Sequence, residues 1–252
     1  MDLSTEFSLA VRRADGLLEI ALDRPRKANA LTAAAMTQLR DVIAGARTDE
    51  VIVLQSTSSH LFCAGADIRE FVGGGLPEQE EALLALIDAM AHSQAAIVTI
   101  ASGRASGAGA ILLALSDIVV AADDLRVACP EFVFGMYPIL VEAVLQSRLA
   151  PAIVTQLCVG ARELAAAQAL DLGLATEVLP VEGFAAAARL RLDHYAARRG
   201  GLAAMRRARN LGPATGTLGK QLGAVAPLML ENFGAPGVAE KVHAYLGALS
   251  KR

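Results

Sequence analysis

Aromatic side chains are scarce in this chain: tryptophan is absent, and aromatic residues make up only 4% of the 252 positions. Hydrophobic residues nevertheless account for 54% of the chain and charged residues for 19%. A chain this apolar can bury a substantial core, which excludes a largely disordered protein. Because much of the apolar share is alanine, the composition favours many close-packed helices.

A strong excess of one charge is also missing, since 23 Lys and Arg face 26 Asp and Glu for a net charge of −3. A protein that follows nucleic acid through phosphate contacts needs a basic surface, so we expect no nucleic-acid partner. Residues 198–210 are a local exception, with five arginines. This segment is interpreted either as an exposed helix face or as a surface for the phosphates of a small anionic ligand.

Cysteine is rare as well, and the three cysteines lack the spacing of a metal site or a disulfide framework. We therefore expect no metal, and a reducing, cytoplasmic location in which each cysteine is a small core residue. The N-terminus lacks the basic and apolar regions of a signal peptide. The apolar runs are shorter than the ~20 residues that cross a bilayer, so no membrane contact is expected.

Strand and helix patterns alternate along the first half of the chain. Apolar runs at 17–25, 50–56, 96–102 and 117–123 predict strands, and the turn at Asp15-Gly16 predicts a hairpin at the first of them. Segments 32–47 and 80–93 have helical periodicity, with Thr32 as the expected N-cap of the first helix. Repeated strand, turn and helix implies parallel strands with helical crossovers, hence an α/β fold. From residue 143 onward the patterns are almost entirely helical, with one short strand in "ATEVLP".

Two turns rich in small residues precede predicted helices: "FCAGADIRE" (62–70) and "SGAGAILLALSD" (106–117). The second has no titratable side chain before Asp117, and its spacing matches neither a dinucleotide fingerprint nor a P-loop. Glycines there can simply allow close helix packing. Alternatively, free backbone N–H groups at the two helix starts can surround one carbonyl oxygen as an oxyanion hole.

Several segments resemble the crotonase (enoyl-CoA hydratase/isomerase) superfamily. They are "LDRPRKANALT" (22–32), "HLFCAGADIREF" (60–71), "GARELAAAQALDLGLATEVLP" (160–180) and the ungapped stretch 96–135, "AIVTIASGRASGAGAILLALSDIVVAADDLRVACPEFVFG". The resemblance implies a spiral of ββα turns over 1–190, followed by a C-terminal helical trimerisation region over 191–252. It also implies an acyl-CoA thioester substrate of fatty acid metabolism, no tightly bound cofactor, and a homotrimer or a hexamer made of two trimers.

The resemblance also assigns roles to individual positions. The backbone N–H groups of Ala66 and Ala108 would be the oxyanion donors, although Ala108 stands where the family usually has glycine. Asp67 is in addition expected to cap its helix, and Asp117 to hold a turn in place. The expected substrate- and CoA-binding residues are Arg26, Lys27, Ala28, Ala64, Asp67, Ile68, Arg69, Gly107, Ile111 and Tyr137.

The acid and base are where the chain departs from the family's hydratases, which use two glutamates. The second glutamate matches Glu131 in "CPEF", but the first falls on Ile111, which cannot transfer a proton. Adding water across a double bond usually needs two carboxyl groups, whereas a 1,3-proton shift needs one base. The pattern therefore resembles Δ3,Δ2-enoyl-CoA isomerases. We expect an apolar pocket of Ile111, Phe132 and Leu140 to raise the pKa of Glu131.

Three alternatives remain open. Glu142 could be a relocated second acid, which would restore hydratase chemistry, or simply a glutamate favoured at a helix N-terminus. A decarboxylase would need only the oxyanion hole, and a CoA-binding homologue would need no catalysis. A Glu142 carboxylate directed into the pocket favours hydration, and one directed to solvent favours isomerisation. Acyl chain length and a carrier-protein substrate in place of CoA are also left open.

Overall fold

The structure is a computed structural model that describes residues 8–160, 162–211 and 213–249. Its strands are β1 (Ser8–Ala14), β2 (Leu17–Asp23), β3 (Val51–Ser56), β4 (Leu61–Cys63), β5 (Ala96–Ala101), β6 (Arg104–Ser106), β7 (Ile118–Ala122), β8 (Arg126–Ala128), β9 (Leu164–Ala165) and β10 (Glu177–Leu179). The first two form the predicted hairpin over Asp15 and Gly16, which both have positive φ.

Helices follow the strands in chain order. They are α1 (Ala33–Ala44), α2 (Ile68–Val72), α3 (Leu76–Ala91), α4 (Ala108–Leu115), α5 (Ile139–Leu145), α6 (Pro151–Cys158), α7 (Ala166–Asp171), α8 (Phe184–Ala197), α9 (Arg199–Asn210), α10 (Pro213–Phe233) and α11 (Val238–Leu249). Short 3-10 helices occupy Pro25–Lys27 and Pro130–Phe134. As predicted, Thr32 caps α1, because its hydroxyl accepts a hydrogen bond from the Ala35 N–H.

The described strands form two sheets, ordered β1-β2-β3-β5-β7-β10 and β4-β6-β8-β9. β3, β5 and β7 are parallel neighbours in the first sheet, and β4, β6 and β8 are parallel neighbours in the second. The chain thus passes through one strand of each sheet and then a helix, and repeats this turn. This spiral of ββα units confirms the predicted α/β architecture with C-terminal helices.

Both faces of the larger sheet are covered. On one face, α1, α3, α4 and α5 bury their apolar residues in one cluster, for example Met36 of α1, Leu86 of α3 and Ile111 of α4. α8 packs on the opposite face against β-branched residues such as Val53 and Val98. The domain boundary expected at residue 190 falls inside α8, whose residues on both sides of 190 pack on this sheet.

The arginine-rich segment forms α9, and two of its side chains reach Asp117. The Asp117 carboxylate accepts hydrogen bonds from the Ile97 N–H (2.9 Å), from Arg206 (3.3 Å) and from Arg209 (2.7 Å). Arg206 is buried and also donates to the carbonyl oxygens of Ser93 and Met90. Asp117 therefore holds a turn in place, as predicted. Arg206 belongs neither to an exposed face nor to an anion surface.

Among the described residues, no helix combines the length and the hydropathy that a membrane span requires.

Candidate active site

The two glycine-containing turns meet at the N-terminal end of α4. A Cβ added to Gly65 would lie 2.9 Å from the Ser106 carbonyl oxygen and 3.4 Å from the Ala108 nitrogen. Gly65 and Gly107 both have positive φ, at 103° and 52°. The close approach and the backbone conformation explain why small residues occupy both turns.

The two amides proposed as oxyanion donors are not used by neighbouring peptide groups. Among the hydrogen bonds of the described residues, neither the Ala66 N–H nor the Ala108 N–H has an acceptor. The flanking groups do bond, since the Asp67 N–H donates to Leu31 and the Gly107 N–H donates to Ala128. Ala108 is the first residue of α4, where an N–H has no partner within the helix. Both donors are therefore free to bind an oxygen atom.

Buried polar contacts hold the first turn. The Asp67 carboxylate accepts from Arg24 at 2.7 Å and from the Arg69 N–H at 3.1 Å, which confirms Asp67 as the cap of α2. The Gln79 amide donates to the Asp67 carbonyl oxygen at 2.9 Å. These bonds position the backbone of Ala66.

Close backbone packing holds the second turn. A Cβ on Gly109 would lie 2.5 Å from the carbonyl oxygen of Cys63, so only glycine lets α4 approach β4 this closely. Every residue of α4 is buried, which accounts for the lack of titratable side chains along it.

Glu131 lies directly beside this second turn, in the 3-10 helix Pro130–Phe134. Its Oε1 atom would be 2.6 Å from a Cβ added to Gly107. Its Oε2 atom is buried and has no hydrogen-bond partner among the described residues. Burial disfavours the charged carboxylate and raises the pKa of Glu131 to about 7. A carboxyl group in this state can both accept and release a proton near neutral pH.

A cavity of about 100 Å³ joins Glu131 to the two amides. Within the described part of the chain, Glu131 is the only titratable residue that lines it. The other lining residues are Ala64, Gly65, Ala66, Ile68, Phe71, Gln79, Leu83, Ala108, Pro130, Phe134, Met136, Pro138, Ile139, Leu140, Val141, Met229 and Phe233.

A second cleft of about 280 Å³ adjoins the cavity and shares with it a wall formed by Ala64, Ala66, Ile68, Pro130 and Phe134. The structure brings seven of the predicted CoA-binding residues to this cleft: Arg26, Lys27, Ala28, Ala64, Asp67, Ile68 and Arg69. Asp67 lines it, but its carboxylate is already bound by Arg24 and the helix cap.

The prediction of which apolar residues surround Glu131 is only partly correct. Leu140 lines the cavity, whereas Ile111 is fully buried in the core and does not line it, and Phe132 is 46% exposed. Ile111 belongs instead to the main core cluster, together with residues of α3 and α5. Residues of α2, α3, α5 and α10 line the cavity together with Glu131.

Glu142 and Tyr137 lie outside the cavity lining. The Glu142 carboxylate accepts a hydrogen bond from Gln146 at 3.2 Å. Burial raises the pKa of Tyr137, and the hydrogen bond between its hydroxyl and Glu142 raises it further. The Glu142 carboxylate is therefore hydrogen-bonded by Gln146 and Tyr137. Tyr137 does not reach the cavity as the sequence comparison had implied.

The contribution of the C-terminal helices was missed by the sequence analysis. α10 supplies Met229 and Phe233 to the cavity, and α11 supplies Tyr245 and Leu246 to the cleft. Residue spacing predicts which side of a helix is apolar, but not which cavity that side closes.

A larger cleft of about 600 Å³ lies on the opposite side of the main sheet, between residues 55–59 and α8. Its charged residues Glu19 and Arg189 pair with each other at 3.0 Å. It contains neither the amides nor Glu131, so it is not the candidate active site.

Comparison with known proteins gives a consistent result. The enoyl-CoA hydratase/isomerase family profile matches residues 12–246. A carnitinyl-CoA dehydratase of Proteus mirabilis is 31% identical over 199 residues, covering 75% of this chain and 74% of the relative. The mitochondrial enoyl-CoA hydratase domain-containing protein 3 of Rattus norvegicus is 27% identical, covering 69% of this chain and 60% of the relative.

Solved structures share the fold at lower identity. The crystal structure of an enoyl-CoA hydratase/isomerase from Pseudoalteromonas atlantica has a TM-score of 0.82 at 22% identity, covering 96% of this chain and 97% of the other. An enoyl-CoA hydratase from Bacillus halodurans has a TM-score of 0.83 at 20% identity, covering 94% and 99%. With the family profile matched over almost its whole length, the chain belongs to the enoyl-CoA hydratase/isomerase family of the crotonase superfamily, and it is an acyl-CoA enzyme.

Proposed function

We propose that this enzyme stabilises a thioester enolate between the Ala66 and Ala108 N–H groups and isomerises an enoyl double bond with Glu131 as its single acid and base. One observation carries the proposal: a buried carboxyl group without a partner at Oε2 stands beside two unused amides. Its pKa of about 7 suits transfer of a proton in both directions.

The proton balance needs no further reactant. The ionised Glu131 carboxylate accepts a proton from C2 of a 3-enoyl thioester, and the C–H electron pair becomes part of a dienolate. The negative charge develops on the thioester oxygen, where the two N–H groups stabilise it. Glu131 then returns the proton to C4, and the double bond is left between C2 and C3.

The adjoining cleft supports CoA as the carrier of the acyl group. Arg26, Lys27 and Arg69 place three cationic side chains along it, where they can pair with phosphates. Among the described residues, the carbonyl oxygens of Ala64 and Ala66 accept no hydrogen bond, so they are available for the adenine ring. We extend the family's homotrimer or hexamer to this chain as part of the same proposal.

Hydration or dehydration is the second candidate, and the relative named carnitinyl-CoA dehydratase favours it. This reaction would need a second acid, for which Glu142 is the nearest candidate in sequence. The hydrogen bonds of Glu142 to Gln146 and Tyr137, outside the cavity lining, favour isomerisation over hydration.

Turnover of three thioesters tests the proposal: a 3-enoyl-CoA for isomerisation, a 2-enoyl-CoA for hydration and malonyl-CoA for decarboxylation. We expect isomerisation by the parent, and a loss on the order of 10³-fold in Glu131→Gln with CoA binding retained. Glu142→Gln is the matched control and should keep the parent rate. An active Glu131→Gln variant contradicts the mechanism, and hydration that is lost in Glu142→Gln supports the second candidate. Binding without turnover of any thioester would indicate a non-catalytic homologue.

A further inference from the structure

The volume and lining of the cavity point to the size and polarity of the acyl group. Resting on the proposed acyl-CoA function, we infer that the enzyme accepts a short, uncharged acyl chain of roughly four to six carbons, and that Met229 and Phe233 of α10 set this limit. The juxtaposition that carries the inference is that Met229 and Phe233 line the same small, mostly apolar cavity as Glu131 and the two amides.

The volume supports a short chain. The cavity measures about 100 Å³, against roughly 10–15 Å³ for a site that just holds one water molecule and roughly 150 Å³ for an engineered cavity that admits benzene. A chain of ten carbons would have to displace the wall.

Packing keeps that wall in place. The rings of Phe71 and Phe233 meet edge to face, with centroids 5.8 Å apart and planes at 78°. Met229 is 7% exposed and belongs to the main core cluster. The Asn232 side chain accepts a hydrogen bond from the Tyr137 N–H at 2.7 Å, which links α10 to the segment after Glu131. Enlarging the cavity therefore means breaking packed contacts between α10 and the core.

Polarity supports an uncharged chain. Besides Glu131, the polar side chain at the cavity is Gln79, among the residues that the structure describes. Its amide nitrogen donates to the Asp67 carbonyl oxygen and to Glu70, both at 2.9 Å, so both of its hydrogens are used. A carboxylate at the far end of the chain would lose its hydration and find no free side-chain donor there.

The experiment measures binding of saturated butyryl-, hexanoyl- and decanoyl-CoA by calorimetry, together with isomerisation of 3-hexenoyl- and 3-decenoyl-CoA. We expect the parent to prefer the six-carbon chain over the ten-carbon chain by at least about tenfold, since roughly one order of magnitude is typical for one misfitting methylene. Met229→Ala and Phe233→Ala should each reduce that preference to about threefold or less. Leu228→Ala is the matched control, because Leu228 lies on the same helix, is 50% exposed and is not part of the wall.

Adipoyl-CoA tests polarity at the six-carbon length, and we expect it to bind at least about tenfold more weakly than hexanoyl-CoA. Equal binding of hexanoyl- and decanoyl-CoA to the parent overturns the size limit, as does an unchanged preference in Met229→Ala. Equal binding of adipoyl-CoA overturns the restriction to uncharged chains. A chain-length preference without isomerisation overturns only the proposed reaction, whereas isomerisation without a preference overturns only this inference.

Discussion

Two buried carboxyl groups lie at opposite ends of α4 and have opposite surroundings. Asp117 follows the C-terminal end of the helix and accepts hydrogen bonds from a backbone N–H and two arginines. Glu131 adjoins Gly107 at the N-terminal end, and its Oε2 atom has no partner among the described residues. A buried carboxylate with such partners holds elements together, whereas one without them has a raised pKa and can exchange protons.

The fold explains the difference. α9 packs beside β5 and delivers Arg206 and Arg209 to the Asp117 end of α4. At the other end, apolar side chains of α5 and α10 surround Glu131. The partners that the fold provides therefore produce a structural link in one place and a candidate acid and base in the other.

Removing Asp117 should have the largest effect on stability. Asp117→Ala leaves Arg206 buried without its carboxylate, and we expect a loss of about 3–5 kcal/mol in the free energy of unfolding. Urea denaturation measures it. Asp193→Asn is the control, since it breaks an exposed pair with Arg189 and should cost less than about 1 kcal/mol. A loss below 1 kcal/mol in Asp117→Ala would contradict the structural role.

Removing the charge of Glu131 should do the reverse and stabilise the protein at high pH. The pKa of Glu131 rises from 4.5 to about 7 on folding, so the folded state holds the proton more tightly. The contribution of Glu131 to the free energy of unfolding is therefore fully present below pH 4.5 and is lost as the pH rises through 7. We expect Glu131→Gln to raise the free energy of unfolding relative to the parent, and this gain should be about 3 kcal/mol larger at pH 8 than at pH 4. Unfolding curves at both pH values measure it, and a difference that does not change with pH would refute it.

The pH dependence of turnover should also report the titration of Glu131, with a smaller expected effect. Proton abstraction needs the ionised Glu131, whose pKa is about 7. We expect kcat/KM for the 3-enoyl thioester to fall by about tenfold for each pH unit below 7, and to level off above it. A profile that stays flat between pH 5 and pH 7 would exclude Glu131 as the base.

Arg209 should contribute least to the Asp117 cluster. Its side chain is 51% exposed, whereas that of Arg206 is 7% exposed. We therefore expect Arg209→Gln to cost about 1 kcal/mol or less. A double-mutant cycle with Asp117→Asn measures the coupling between the two side chains. Coupling of several kcal/mol would show that exposure does not screen this pair.

Local signals predicted much of the fold. The hairpin at Asp15–Gly16, the Thr32 cap and the buried strands all depend on residues close to one another in sequence. The positions of Ala66, Ala108 and Glu131 were also identified before the structure, through the family resemblance. The structure supports that choice, because it brings the three residues to one cavity.

Long-range contacts account for what was missed. The resemblance placed Ile111 at the binding site, but tertiary packing buries its side chain in the core, and it does not line the cavity. The charge of Arg206 suggested exposure, and only its docking against Met90 and Ser93 reveals a buried ion pair. In the same way, α10 closes the cavity from a segment about 100 residues after Glu131 in the chain.

The sequence by itself determined the alternation of strands and helices, the two glycine-containing turns and the presence of a single matching glutamate, because each depends on residue type and short spacing. Only the tertiary structure decided which carboxyl group has partners. Asp117 meets Arg206 across 89 residues, and Glu131 is left among apolar side chains from four helices. Whether a buried group is paired depends on which distant segments pack against it, and residue spacing does not encode that choice.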